Sequence, residues 1–325
     1  MDQERAARVG EDELREAAHR IEGRVHKTPL LSSRSLGERV GAEVYLKAEC
    51  LQKAGSFKAR GAFNKALSLS DEERRRGLLT YSSGNHGQAV AYVAASLGVP
   101  ALIVMPVDAP RIKREACLGY GAEVVLHGTR SDQRRARALE LQEQRGASMI
   151  PPFDDRWIIA GQGTVGLELL AQSPAPPDVV IAPIGGGGLI SGLLAATRPG
   201  CRVIGVEPFA ACAMTRSLAA GRPTDMHPEE TIADGLKPTR PGELNFLHAK
   251  ELGLETVLVD DDEIRAAMRF LYERARLVVE PSGAATTAAL LAGKVEVSGR
   301  VVALVSGGNV DPALFAEVIA PGRAS

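Results

Sequence analysis

Along the chain, short apolar and β-branched runs alternate with longer stretches whose apolar positions recur every three to four residues. A brief apolar run bounded by Gly, Pro or polar clusters reads as a strand covered on both faces, and the longer period reads as a helix. This pattern predicts strands at 44–47, 78–81, 101–105, 123–126, 179–182, 202–206, 256–259 and 300–305. Helices are predicted at 12–23, 57–69, 87–97, 111–118, 131–144, 161–171, 189–196, 261–275 and 283–291. Strand and helix in alternation point to βαβ units and an α/β fold with parallel sheets. Residues 77–148 hold consecutive αβ units of their own and are expected to form a small domain. Residues 1–76 and 149–325 would make a larger one. The proline-rich stretches 173–178 and 237–242 read as loops, because proline blocks regular pairing.

Composition narrows the function classes. The 325 residues suit about two domains, and 45% hydrophobic content is enough for a sizeable core. With 39 Lys+Arg against 40 Asp+Glu, the net charge is −1. A basic nucleic-acid face or a polybasic membrane surface is therefore not expected. No apolar stretch is long enough for a membrane span, and the charged N-terminus lacks the apolar segment of a secretory signal. Cys50, Cys117, Cys201 and Cys212 show no CxxC spacing and read as reduced, buried thiols, so a cytoplasmic location is expected. The six histidines show no metal-ligand spacing. Arg134, Arg135 and Arg137, on one helix with Glu140 and Glu143, read as a solvated face with i,i+3 pairs.

Four stretches carry candidate chemistry. After the run Val179 to Ile184 come Gly185, Gly186, Gly187 and Gly188, and then a helix. Glycines between strand and helix let the backbone approach a ligand closely, and a helix start attracts anions such as phosphate. No P-loop Lys-Ser/Thr follows, and no GxGxxG register fits. A tight turn with close helix–strand packing would also use glycine here. Lys58 sits one turn into an apolar helix start within GSFKARG. A lysine in a dry pocket becomes a usable nucleophile or base, whereas a snorkelling surface lysine does not. Ser82, Ser83, Gly84, Asn85 and His86 link a strand to a helix. Ser and Asn cap helices, and the same N–H groups can hold a carboxylate. Ser306 opens SGGN after the last predicted strand. All four stretches follow strands or open helices, where ligands gather in open α/β sheets.

Together the stretches GSFKARGA, SSGNHGQAVA, AGQGT, GGGGLISG, GVEP, TIADG, EPSGA and SGGNVD resemble the fold type II pyridoxal-phosphate enzymes, the tryptophan synthase β-like family. Within it the chain is similar to the threonine/serine dehydratase and serine racemase branch. The resemblance spans residues 25 to 312, in the family's order. It implies two three-layer αβα domains on open, mostly parallel twisted sheets, the smaller one mobile. It implies that Lys58 joins the aldehyde of pyridoxal 5'-phosphate and later takes the substrate Cα proton. Phe57 would lie beside the ring, Asn85 bond its 3-hydroxyl, Gly185–Gly188 hold the phosphate and Ser306 face the pyridine nitrogen. Ser83 would stand opposite Lys58, and the substrate carboxylate would rest on Ser82, Ser83, Gly84, Asn85 and His86.

The implied reaction is ammonia-lyase (dehydratase) chemistry. A β-hydroxy amino acid, L-threonine or L-serine first among candidates, becomes a 2-oxo acid and ammonia. Serine racemase, or a dehydratase of another hydroxy amino acid such as 3-hydroxyaspartate, is the alternative, and Ser83 leaves racemisation open. β-Replacement enzymes use a different substrate loop. For a divalent cation (Mg or Ca), the candidate ligands are Glu207 and the main chain of Ala211. Metal-binding relatives carry a second carboxylate where Ala213 stands here, and one carboxylate is a weak start for a hard cation. The chain ends shortly after SGGNVD, where biosynthetic threonine dehydratases continue into a regulatory domain, so no feedback inhibition by isoleucine is expected. The resemblance also implies a homo-oligomer, a dimer or a tetramer.

Overall fold

The computed structural model describes residues 8–82, 84–109, 111–197 and 200–320. Among the described residues, ten strands form two sheets. In chain order they are β1 (Leu30–Ser32), β2 (Glu43–Ala48), β3 (Leu78–Tyr81), β4 (Ala101–Met105) and β5 (Glu123–Leu126). Then come β6 (Ser148–Met149), β7 (Val179–Pro183), β8 (Arg202–Pro208), β9 (Glu255–Val259) and β10 (Arg300–Val305). The larger sheet has the order β1-β2-β10-β7-β8-β9 and the smaller β5-β4-β3-β6. Every neighbouring pair is parallel except β1 with β2. Strands such as VVIAP in β7 and ALIVM in β4 are buried along their whole length, as parallel strands covered by helices must be.

Helix boundaries follow local chemistry. Asp155 caps Arg156–Gln172 by accepting from the N–H groups of Trp157 and Ile158 at 2.8 and 3.1 Å. Asp260 and Glu263 form a reciprocal capping box on Asp261–Phe270. Proline opens Pro281–Leu291 and Pro312–Ile319.

Two features hold the helix that carries Lys58 against the larger sheet. The first is close helix packing through glycine. Gly192, on Gly188–Thr197, faces Gly163, on Arg156–Gln172; a Cβ at Gly192 would sit 2.6 Å from the Cα of Gly163 and from the carbonyl oxygen of Ile159. Gly161 faces Gly61, on Lys58–Ser68, and a Cβ there would lie 2.6 Å from its Cα. Gly192→Ala is expected to cost about 1–3 kcal/mol through overpacking, read as a lower urea midpoint at unchanged slope.

The second feature is a buried ionic network. Arg60 Nε and Nη2 donate to the two carboxylate oxygens of Glu49 at 2.8 and 2.7 Å, and Nη1 lies 3.0 Å from Glu168. Lys47, on β2, bonds Glu168 at 2.6 Å, the Thr28 carbonyl at 2.8 Å and Gln172 at 2.7 Å. Burial pushes Glu49 up, but Arg60, Thr28 and Lys47 outweigh it and hold the carboxyl below its ordinary range. Two cations face two carboxylates, so the buried charge balances.

The four cysteines are buried, as expected, and among the described residues none forms a disulfide. Among the described residues, no helix is long and apolar enough to cross a membrane.

Candidate active site

Strand order decides where the site lies. From β7 the chain steps to β8 and β9 on one side, and β10 returns on the other. From β3 it steps to β4 and β5, and β6 returns on the other side. Outside the carboxyl ends of strands at such reversals, adjacent loops diverge and leave a crevice. After β7, β10 and β3 come the glycine run, Ser306, and Ser82 with Gly84 ahead of the helix that begins at Asn85. The chain after β2 leads through two tight turns to Lys58.

All of these meet at one cavity of about 850 Å³. Phe57, Lys58, Ser82, Gly84, Asn85, His86, Gly185–Gly188 and Ser306 all line it. Ser83 lies outside the described residues. Glu207 and Ala211 are not among the lining residues.

Lys58 is the first residue of its helix, and its Nζ donates to the Pro152 carbonyl at 2.7 Å. It stands 5.2 Å from the centre of the Phe57 ring. Burial pushes the ammonium down to about 8, since little around it compensates the charge. The N-terminal end of a helix dipole also disfavours a cation. The Phe57 N–H bonds the Ser306 carbonyl at 3.2 Å, and Ser56 bridges Gly307, so the lysine and Ser306 strands of the site are stitched together.

The glycine run has a double reason. A Cβ at Gly186 would collide with the Phe153 ring, and one at Gly187 would lie 2.7 Å from Asn245 Cβ. Gly187 also has φ +102°, a region that favours glycine. Packing alone therefore demands two of the four. At Gly185 and Gly188 the nearest contacts are 3.0 and 3.2 Å. Gly188–Thr197 begins at once, and its first N–H groups have no partner inside the helix.

Opposite, Asn85 opens the helix Asn85–Leu97, and the Ser82 hydroxyl accepts from the Gly84 N–H at 3.2 Å. His86 is buried; its Nε2 lies 2.9 Å from the Ile150 carbonyl and its Nδ1 has no partner among the described residues. Burial, then the charge of Lys58, lowers it to about 3. It is a neutral ring and cannot supply a cation to a carboxylate.

The cavity also holds residues that spacing alone did not single out. Glu280, quoted above only within EPSGA, is 2% exposed. It occupies the N-cap position of Pro281–Leu291, yet its side chain makes no cap bond and instead accepts from Asn85 Nδ2. Asn309, the last residue of SGGN, is not among the lining residues but donates Nδ2 to Asn85 Oδ1 and to the Ala54 carbonyl, both at 2.8 Å. Lys113, on Arg111–Gly119, pairs with Asp234 across the cavity. Arg137 pairs with Glu140 at 2.7 Å as the solvated-face reading expects, but Arg134 departs from that reading. Its guanidinium lines the cavity, donates to the Thr129 carbonyl at 2.9 Å, and keeps a buried Nε with no partner among the described residues. Near the start of a fifteen-residue helix, the solvent side gives way to the cavity mouth.

Glu207 is engaged elsewhere. Its carboxylate accepts from the N–H groups of Met214 and Thr215 at 2.9 and 2.8 Å and from the Thr215 hydroxyl at 2.6 Å. It thus serves the start of Ala213–Ala220, and burial pushes it up to about 7. Among the described residues, no three His, Cys, Asp or Glu side chains converge in a metal-binding group.

Comparison with known proteins gives one consistent answer. Residues 21–307 match the model of the family described as pyridoxal-phosphate dependent enzyme. An L-threonine ammonia-lyase of Thermotoga maritima is 44% identical over 96% of this chain and 78% of its own length. A catabolic L-threonine dehydratase of Escherichia coli is 43% identical over 93% of this chain and 94% of its own. The solved structure of maize serine racemase superposes with a TM-score of 0.91, at 40% identity, over 95% of this chain and 96% of that one. The two-sheet α/β fold is that of fold type II, and the chain belongs to the pyridoxal-phosphate dependent enzyme family.

Proposed function

We propose that this enzyme is an ammonia-lyase of β-hydroxy amino acids, acting on L-threonine and L-serine. The observation that carries the reading is a desolvated lysine sharing a cavity with a glycine-lined helix start, in the order the dehydratase branch shows. Pyridoxal 5'-phosphate suits these residues. The glycine run lines the cavity and opens a helix whose first N–H groups suit an anionic tail, Lys58 has the lowered affinity for protons an imine-forming amine needs, and Asn85 retains one amide hydrogen beyond its bond to Glu280. Bound there, the cofactor supplies the electron sink that makes the substrate Cα–H bond acidic.

The protein's own groups supply the rest. Lys58, with an ammonium near 8, keeps a usable neutral fraction at physiological pH and takes the Cα proton. N–H groups at the start of Asn85–Leu97 hold the substrate carboxylate, with no cationic help from His86. Ser306, which lines the cavity, would offer the ring a hydroxyl rather than a carboxylate, which suits elimination of a β-hydroxyl. The Phe153 ring, beside Gly186, offers an apolar wall to the threonine methyl. Such a wall discriminates one methyl by only about 1–3 kcal/mol, so serine reacts as well. The unit built on residues 77–148 is the mobile one in this reading. A divalent cation would have to draw Glu207 from the helix start at Ala213, so no step is assigned to one.

The test is a screen of L-threonine, L-serine and 3-hydroxyaspartate for release of 2-oxo acid and ammonia, with chiral analysis of the remaining substrate. Threonine and serine consumed with matching ammonia support the reading. Inversion of serine without ammonia assigns a racemase instead, and turnover of 3-hydroxyaspartate alone assigns that substrate.

A further inference from the structure

We infer that Glu280 is a positioning residue of this site, which holds the Asn85 amide in place and through it tunes the bound cofactor ring. The inference rests on the cofactor assignment above and deepens it.

A main-chain carbonyl, through Asn309, fixes the orientation of the Asn85 amide. Ala54 has φ +54°, an uncommon backbone for a residue with a Cβ, and its carbonyl accepts from Asn309 Nδ2. An oxygen cannot face that carbonyl, so the amide of Asn309 has one permitted orientation. Its Nδ2 also reaches Asn85, so the atom it meets there must be Oδ1. Asn85 Nδ2 then faces Glu280 Oε1. The relay Ala54, Asn309, Asn85, Glu280 thus has a polarity set from one end and needs an acceptor at the other. One Asn85 amide hydrogen remains for the cavity.

Glu280 gives up a ready use to provide that acceptor. A carboxylate at an N-cap ordinarily bonds its own helix start and gains from the dipole. Here the side chain turns away into space that exists only because residue 307 is glycine: a Cβ there would strike Glu280 Oε1 and lie 3.1 Å from Asn85 Nδ2. The charged and titratable groups around it are few. Asp234 opposes its ionisation, Lys113 of Arg111–Gly119 favours it, and Cys50, pushed up to about 12 by burial, stays a neutral thiol. Burial, Asp234, Lys113 and Asn85 together leave Glu280 at about 7. Proton uptake on Glu280 weakens its pull on Asn85 and alters how strongly the second amide hydrogen is donated to the ring.

The wild type, Glu280→Gln and Glu280→Ala are compared as holoenzymes for visible absorption and kcat/KM from about pH 6 to about pH 9, and for loss of cofactor on dilution. The wild type is expected to show a spectral step and a matching kcat/KM limb near neutrality. Glu280→Gln, equal in size and still able to accept through Oε1, should keep the cofactor and lose the step. Glu280→Ala should release cofactor about ten- to a hundredfold more readily. A step unchanged in Glu280→Gln overturns the inference, and since that variant preserves packing it decides the matter even if Glu280→Ala does not fold. A wild type without a visible band removes the cofactor assignment and this inference together; identical bands in all three proteins remove this inference alone.

Discussion

Lys58→Ala should lose turnover and the visible band of the holoenzyme together. Turnover is expected to fall at least about 10³-fold, because one amine serves as both the covalent anchor and the base. The fold should be untouched. Lys58 lies outside the buried ionic network, its Nζ bonds a single main-chain carbonyl, and alanine favours helix more than lysine does. Thermal midpoints of the cofactor-free variant and the cofactor-free wild type should therefore agree. Borohydride treatment of the wild type should leave cofactor mass on the peptide containing residue 58, and none on the variant. Turnover within about tenfold of wild type would exclude Lys58 from both roles.

Arg60→Met should be among the most destabilising single changes around the larger sheet, at about 3–5 kcal/mol. Methionine leaves Glu49 buried with Thr28 and the more distant Lys47, and leaves Glu168 with Lys47 alone. An ionised carboxylate without its guanidinium partner carries its full desolvation cost. The double variant Arg60→Met, Glu49→Leu removes one cation with one anion and retains the Lys47–Glu168 pair. It should recover much of the loss, because buried ion pairs add little beyond an apolar pair of equal volume. Urea unfolding of both singles and the double measures the coupling. Additive losses would show that Arg60 acts through packing of its stem rather than through charge.

The same two neighbourhoods show what could be read in the residues and what could not. Strands of four residues or more were plain. The predicted segments 101–105, 123–126 and 300–305 coincide with β4, β5 and β10. The short strands Leu30–Ser32 and Ser148–Met149 were missed, since two or three residues carry no period. The helix Arg156–Gln172 was expected to begin near 161, and its glycines prove to be contact points for neighbouring helices. Asp155 was the signal that would have found its true start. Helices Ala213–Ala220 and Glu243–Glu251 were also missed, for they lie beside loops rich in Gly and Pro.

At the site, the stretches that met at the cavity were legible because each follows a strand. Glu280 was not, since a glutamate before a proline reads as an ordinary helix start until the fold shows its carboxylate facing Asn85. Lys113 and Asp234 stand 121 positions apart, and nothing local pairs them. The glycine run also carried a meaning that pattern could not separate, because accommodation of Phe153 and Asn245 leaves the same four letters as an open cradle.

The position of β10 reaches into biosynthesis. The last of the ten strands to emerge from the ribosome is inserted between β2 and β7, near the middle of its sheet. Until it arrives, a nascent chain holds two half-sheets with facing unpaired edges, exposed to wrong partners. The residues at 58, 185–188 and 306 cannot converge before that closure. Vitamin capture must then follow synthesis of β10, and a chain truncated before that strand would be both a poor binder and a candidate for aggregation.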